Sequence, residues 1–259
     1  MTAPRPIIAF TRDVSPTIIR CELTHLAREP IDVHRARAQH AEYEAMLARL
    51  GCDVRRVLAL PDHPDAVFIE DTAVVLPTLA IITRPGAASR REEVDAVAAA
   101  LAAHRPLARI SAPGTLDGGD VLRAGRTLFV GRTPRSNDEG IAQLAAFVAP
   151  HGYAVVPVPV TGCLHLKSAV TEVADGVLLI NPAWVRPAVF EGWRVIEVDP
   201  SEPGAANALR VGGALVYGAA YPRTRARLEA AGLTVHTVDA SEVAKAEGAV
   251  TCCSVLVDG

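Results

Sequence analysis

"DGGDVLRAGRTLFVGR", residues 117–132, opens on acidic residues and glycines, runs apolar, turns at Ala124-Gly125 and runs apolar again. Glycine between two such runs is a hairpin signal, because it takes the turn's left-handed backbone without steric cost. The same scheme stands on either side. "EDTAVVLPTLAIITRP" carries it from Glu70 with a proline-containing turn, and "LHLKSAVTEVADGVLLIN" carries it from Leu164, turning at Asp175-Gly176. "ANALRVGGALVYGA" carries it from Ala206, turning at Gly212-Gly213. A scheme that recurs about every 45 residues is the signature of a repeated architecture.

Helical stretches follow most of these hairpins. "SRREEVDAVAAALAAH" reads as a helix with Ser89 as N-cap and Glu92 three residues on, a capping box. "SNDEGIAQLAAFVAPHG" and "PRTRARLEAAGL" read as helices too, the second stopped at Gly232. A further strand comes next, such as "YAVVPVPV" or "LTVHTVDA". Each unit is therefore strand, strand, helix, strand, an α/β pattern. A fifth copy would begin at "TCCSVLVDG" and finish with the N-terminal strand "PIIAFTR", so that the termini meet in one sheet and close a ring. Nothing between the units reads as a flexible linker, and residues 1–259 are expected to form a single domain.

In such a ring the starts of the first strands surround one axis. Those positions hold Asp71, Asp117, His165, Asn207 and Cys252. Carboxylates, an imidazole and a thiol, far apart in sequence, are thus predicted to converge. This gives "GAVTCCSVL" (248–256) a second reading beside that of core, where free cysteine is often buried. One cysteine of the pair could be a nucleophile at the end of a strand. Strand alternation would let only one of the two face the axis.

Composition bounds the function classes. The net charge of −3 supplies no basic field for nucleic acid or anionic membranes, and 4% aromatics disfavours base-stacking platforms. "MTAPRPIIAFTRDVSP" has too short an apolar run for a signal peptide, and no run approaches a membrane span. Five irregularly spaced cysteines argue against a disulfide framework and for the cytoplasm. Adjacent cysteines with no second CxxC or HxxxH lack the spacing of a structural zinc site, and no metal is expected. His25, His34, His40, His63, His104, His151 and His236 read as surface residues; Cys21, Cys52 and Cys163 read as structural, with Cys163 close to His165 in sequence.

"FIEDTAVV", "RPGAASRREE", "LDGGDVL", "LHLKS" and "TCCSVL", in that order, closely resemble the dimethylarginine dimethylaminohydrolases of the guanidine-modifying pentein superfamily. The resemblance runs from about Thr11 to Val257. It implies a five-bladed ββαβ propeller, the pentein fold, in agreement with the repeat count. It also implies a hydrolase that converts N-omega-methylated arginine to citrulline and an amine through a covalent cysteine adduct, with no cofactor. By the resemblance Cys252 is the nucleophile, His165 the acid/base and Asp117 the carboxylate that orients it. Asp71, with Glu70 beside it, holds the guanidinium. Asp65 and the Leu23 carbonyl meet the amino-acid end, and Arg90 and Arg135 bind the α-carboxylate. Ala246 and Glu247 line the loop before the nucleophile, and there the chain departs from the family: relatives often carry Asp at 247 and a larger apolar residue at 246.

These residue types suit the substrate. A guanidinium is flat and cationic and takes charge-assisted hydrogen bonds from carboxylates; a carboxylate suits an arginine fork. Acidic neighbours raise a thiol's pKa, so the resting cysteine is expected to be a thiol that ionises once the cation binds. Two alternatives stay open. One is an arginine deiminase-like or amidinotransferase activity, although classical arginine deiminases carry an inserted helical domain that this chain lacks. The other is a non-catalytic pentein binding module, which would be expected to lose the Cys/His/Asp set. The oligomeric state is open as well, a homodimer among the alternatives.

Overall fold

A computed structural model of the chain describes residues 6–258; residues 1–5 and 259, at the two ends of the sequence reading, lie outside the described residues. Its strands form five three-stranded sheets. In chain order the first sheet begins with β1 (Ile8–Thr11), which pairs in parallel with β2 (Asp53–Arg56). The second holds β3 (Ala73–Val75), β4 (Ala80–Ile82) and β5 (Leu107–Arg109). The third holds β6 (Val121–Ala124), β7 (Thr127–Arg132) and β8 (Ala154–Pro159). The fourth holds β9 (Val170–Ala174), β10 (Val177–Ile180) and β11 (Arg194–Glu197). The fifth holds β12 (Ala208–Val211), β13 (Ala214–Gly218) and β14 (Thr234–Val238). The last strand, β15 (Val255–Val257), returns to pair antiparallel with β1, so the chain ends do meet in one sheet.

Each unit has one logic. The hairpin pairs antiparallel and its second strand pairs in parallel with the third. A parallel partner cannot be reached by a tight turn, so a crossover must intervene. Helices α1 (Val33–Arg49), α2 (Val94–Ala102) and α3 (Asp138–Val148) supply it in three units. The short α4 (Leu166–Ala169) instead leads into β9. Helix α5 (Pro222–Ala230) makes the last crossover, and α6 (Ser241–Ala244) precedes the final turn. The fourth unit crosses with only a 3-10 turn, Pro187–Phe190, in a segment where Pro182 and Pro187 withhold amide donors.

Three corrections to the sequence reading arise here. Ser89 caps nothing: it lies in a 3-10 turn, its hydroxyl bonds Glu22, and α2 starts after Glu93. The cysteine pair sits in a turn ahead of β15, so strand alternation does not separate the two side chains. His40 is buried against Tyr43 rather than on the surface. Helix α1 and strand β2, which the repeat pattern does not mark, complete the first unit.

The core lies between the sheets. Val173 and Leu179 of the fourth unit, for example, pack on Leu215 and Tyr217 of the fifth. First strands of neighbouring units lie side by side, β15 by β3, β6 by β9 and β9 by β12. The sheets remain separate hydrogen-bonded units among the described residues. Among them, too, no helix is long and apolar enough to cross a membrane.

Candidate active site

The five positions given by the repeat each fall in the turn or short helix that leads into a first strand. Asp71 lies in the 3-10 turn ahead of β3, Asp117 caps the turn ahead of β6, and His165 caps α4 ahead of β9. Asn207 closes the turn ahead of β12, and Cys252 lies in the turn ahead of β15.

His165 joins the first three. Its Nε2 hydrogen-bonds Asp117 Oδ2 at 3.0 Å, while its Nδ1 stands 3.8 Å from Asp71 Oδ1, beyond hydrogen-bond reach. Nδ1 is therefore the nitrogen left to exchange a proton. Burial alone would lower the imidazolium, but Asp71, the bond to Asp117 and the charge of Asp120 outweigh it and hold its pKa at about 9. Asp71 shows the converse. Burial would raise its carboxyl, yet the charges of His165 and Arg90 pull it down to about 2. The Gly119 N–H and an Arg90 Nη1 bond of 2.6 Å complete its shell. Asp117 Oδ1 accepts the Gly86 N–H, which fixes the carboxylate plane.

Glu70 turns the other way. It accepts from Lys167 Nζ and the Thr251 hydroxyl, and Thr251 exchanges two bonds with the Asn207 amide. This network, anchored by Lys167 as a structural cation, ties the turn before Cys252 to the second and fourth units. The Glu70 N–H donates to the Cys252 carbonyl at 3.1 Å. Cys252 is half-buried, and burial followed by Glu70 and Asp71 pushes its thiol well above the ordinary range. Cys253 is buried in the core with Sγ on the Ala249 carbonyl.

The two arginines differ. Arg90 is 3% exposed, and its donors go to Asp71, Glu93 and the carbonyls of Asp65 and Phe68. It is thus a clamp on Asp71 rather than a free fork. The Arg135 guanidinium lies 3.7 Å from Asp117 and makes no hydrogen bond among the described residues. Leu23 is the partly buried residue of an otherwise exposed loop at 22–26. The Glu22 N–H bonds the buried Asp65, whose carboxyl burial pushes up to about 6. Ala246 is buried. Glu247 sits at φ 58°, and one of its oxygens takes the N–H groups of Thr24, His25 and Leu26. Cys163 is buried, with its Sγ 3.4 Å from the His165 carbonyl.

Asp71, Asp117 and His165 place ligand atoms within 4.8 Å of one another. Arg90 and Gly119 donate to the Asp71 carboxylate and Gly86 to that of Asp117, so the trio is already held by hydrogen bonds from the protein. Gly86, Gly119, Asp120, Ser136 and Thr251 support the site without having been singled out from the sequence; the second aspartate of "LDGGD" was the visible signal for one of them.

No protein-family model matches the chain. It is 42% identical over 249 residues, 95% of each chain, to the N(G),N(G)-dimethylarginine dimethylaminohydrolase of Streptomyces coelicolor. It is 36% identical over 235 residues, 89% of this chain and 91% of the other, to the enzyme of the same name from Pseudomonas aeruginosa. Among solved structures, a cysteine-to-serine variant of the Pseudomonas aeruginosa enzyme complexed with citrulline superposes with a TM-score of 0.90 at 30% identity, covering 99% of this chain and 100% of that one. A histidine-to-glycine variant of a dimethylarginine dimethylaminohydrolase, carrying an adduct with S-methyl-L-thiocitrulline, gives 0.91 at 31%, covering 98% of this chain and 100% of that one. With its fold, its five motifs and its identity to these relatives along nearly its whole length, the chain belongs to the dimethylarginine dimethylaminohydrolase family.

Proposed function

We propose that the chain hydrolyses asymmetric dimethyl- or monomethyl-L-arginine to L-citrulline and dimethylamine or methylamine. The observation that carries this reading is His165, held by Asp117 through Nε2, with Nδ1 making no hydrogen bond among the described residues and standing 3.8 Å from Asp71, the same carboxylate that bears on the Cys252 thiol. At neutral pH His165 is protonated and ready to act as an acid. The substrate guanidinium binds against Asp71 and Glu70. Its charge offsets the acidic surroundings that hold Cys252 as a thiol, and the thiolate forms as the thiol proton is released to solvent.

Cys252 Sγ then bonds to the guanidinium carbon. His165 gives its proton to the departing amine as the C–N bond breaks, leaving a thiouronium adduct. Neutral His165 next takes a proton from water; the water oxygen bonds to that carbon, the C–S bond breaks and citrulline leaves. Dividing one displacement into two is what the covalent nucleophile contributes. Arg135, whose fork makes no hydrogen bond among the described residues, takes the α-carboxylate, while Asp65 and the Leu23 carbonyl take the ammonium. Arg90 holds Asp71 in place. The net charge of −3 supports a small-molecule substrate and not nucleic acid, and the five cysteines, all free, support a cytoplasmic protein.

The test is citrulline release from asymmetric dimethylarginine, monomethylarginine and arginine, side by side, for the wild type, Cys252→Ser and Cys253→Ser. The methylated substrates are expected to turn over faster than arginine. Cys252→Ser should be inactive and Cys253→Ser within about threefold of wild type. Turnover of arginine alone, or full activity of Cys252→Ser, would overturn the reading.

A further inference from the structure

Asp120 lies outside the reacting groups, yet it is fully buried and every oxygen is spoken for. Oδ1 accepts the Leu166 N–H at 3.0 Å, and Leu166 follows His165 at the start of α4. Oδ2 accepts the hydroxyls of Thr133 and Ser136, each at 2.6 Å. Those hydroxyls in turn accept backbone N–H groups of the site: Ser136 Oγ that of Asp117 at 3.1 Å, and Thr133 Oγ1 that of Arg135 at 3.1 Å. Gly131 leaves the space, since a Cβ there would meet Asp120 Oδ1 at 2.5 Å.

We propose that Asp120 is a positioning residue, one buried carboxylate that fixes His165, Asp117 and Arg135 relative to one another. The assignment rests on the dimethylargininase reading for its kinetic consequences but not for its geometry. A carboxylate has only acceptors, so it can gather three donors that no neutral side chain of this size could. Its charge also bears on the imidazole. The groups facing His165 are Asp71 with Arg90 behind it, Asp117 with Arg135 beside it, and Asp120; Asp120 itself is faced by His165, Asp117 and Cys163. Burial raises the Asp120 carboxyl to about 6, against the pull of His165 and the two hydroxyls, so it is ionised at pH 8.

Asp120→Asn and Ser136→Ala, assayed at pH 8 on asymmetric dimethylarginine, test the proposal together with NMR titration of His165 in the resting protein. For Asp120→Asn, kcat is expected to fall about 10- to 100-fold with KM within about threefold, the mark of misaligned reacting groups. The His165 midpoint should move down by about one pH unit as a facing negative charge is lost. Ser136→Ala should lower kcat by a smaller factor and leave the midpoint in place. A wild-type kcat and midpoint in Asp120→Asn would overturn the proposal. Should that variant not fold, Ser136→Ala decides: a lowered kcat at unchanged KM supports it, a wild-type kcat overturns it. The midpoint is read without substrate, so it judges Asp120 even if the wild type fails to release citrulline, which would defeat the functional reading alone.

Discussion

At Gly119 the chain passes so close to the acid–base pair that a Cβ would stand 2.6 Å from Asp71 Oδ1 and 2.8 Å from His165 Nδ1. The glycine is needed for space there, since its φ is not in the left-handed region. Gly119→Ala is therefore expected to displace the free nitrogen of His165 and cost about 10²-fold in kcat. Steady-state citrulline release on the folded variant checks this, and a wild-type kcat would show that the contact can relax. Asp117→Asn probes the other face of the ring. It keeps the size, removes the charge and favours the wrong tautomer, a change that costs about 10⁴ in the serine-protease template. Here the expected loss is about 10²–10⁴. Single-turnover measurement of adduct formation and decay separates the steps, and both phases running at wild-type speed would leave Asp117 as a turn residue.

At the scale of elements, the turn after α6 reaches across to the loop at 22–26. Glu247 holds an uncommon positive φ for a non-glycine residue, and its carboxylate gathers three successive N–H groups of that loop. The loop carries Leu23 and the Glu22 bond to Asp65, the two groups that the proposed function sets at the amino-acid end of the substrate. Glu247→Gln weakens charge-assisted bonds worth about 1.5–3 kcal/mol each. KM is expected to rise about tenfold with kcat nearly unchanged, and the amides of Thr24, His25 and Leu26 to exchange faster. Unaltered exchange and KM would mean that the loop is held by other contacts.

For the whole molecule, the buried charges couple stability to pH. The folded pKa of His165, about 9, lies above its ordinary 6.5, so its contribution is complete below about pH 6.5 and is lost as pH rises through about 9. The contribution is on the order of 3 kcal/mol. Asp71 behaves oppositely: it contributes above its ordinary 3.8, and that is lost as pH falls through about 2. The Tm difference between wild type and His165→Gln should accordingly shrink between pH 6 and pH 9.5. A constant difference across that range would show that the imidazolium is not what the acidic surroundings hold.

What the sequence determined by itself was the repeat. The hairpin turns fall at Gly125, Gly176 and Gly212, all at positive φ, because local turn chemistry needs no partner to be read. The five equivalent positions follow from that period, and with them Asp71, Asp117, His165 and Cys252. Tertiary structure decided the rest, since it depends on what each group meets from the other units. Two arginines that look alike in sequence part ways only because Asp71 and Glu93 surround one of them. The cysteines part ways because the turn after α6 points Cys253 into the core. Helix α1 escaped notice because its apolar positions are sparse, and it is held by docking on the first and last units, with Asp32 as its cap. Asp120 was a letter in a turn motif until the fold brought Leu166, Thr133 and Ser136 to its oxygens, contacts that no local pattern encodes.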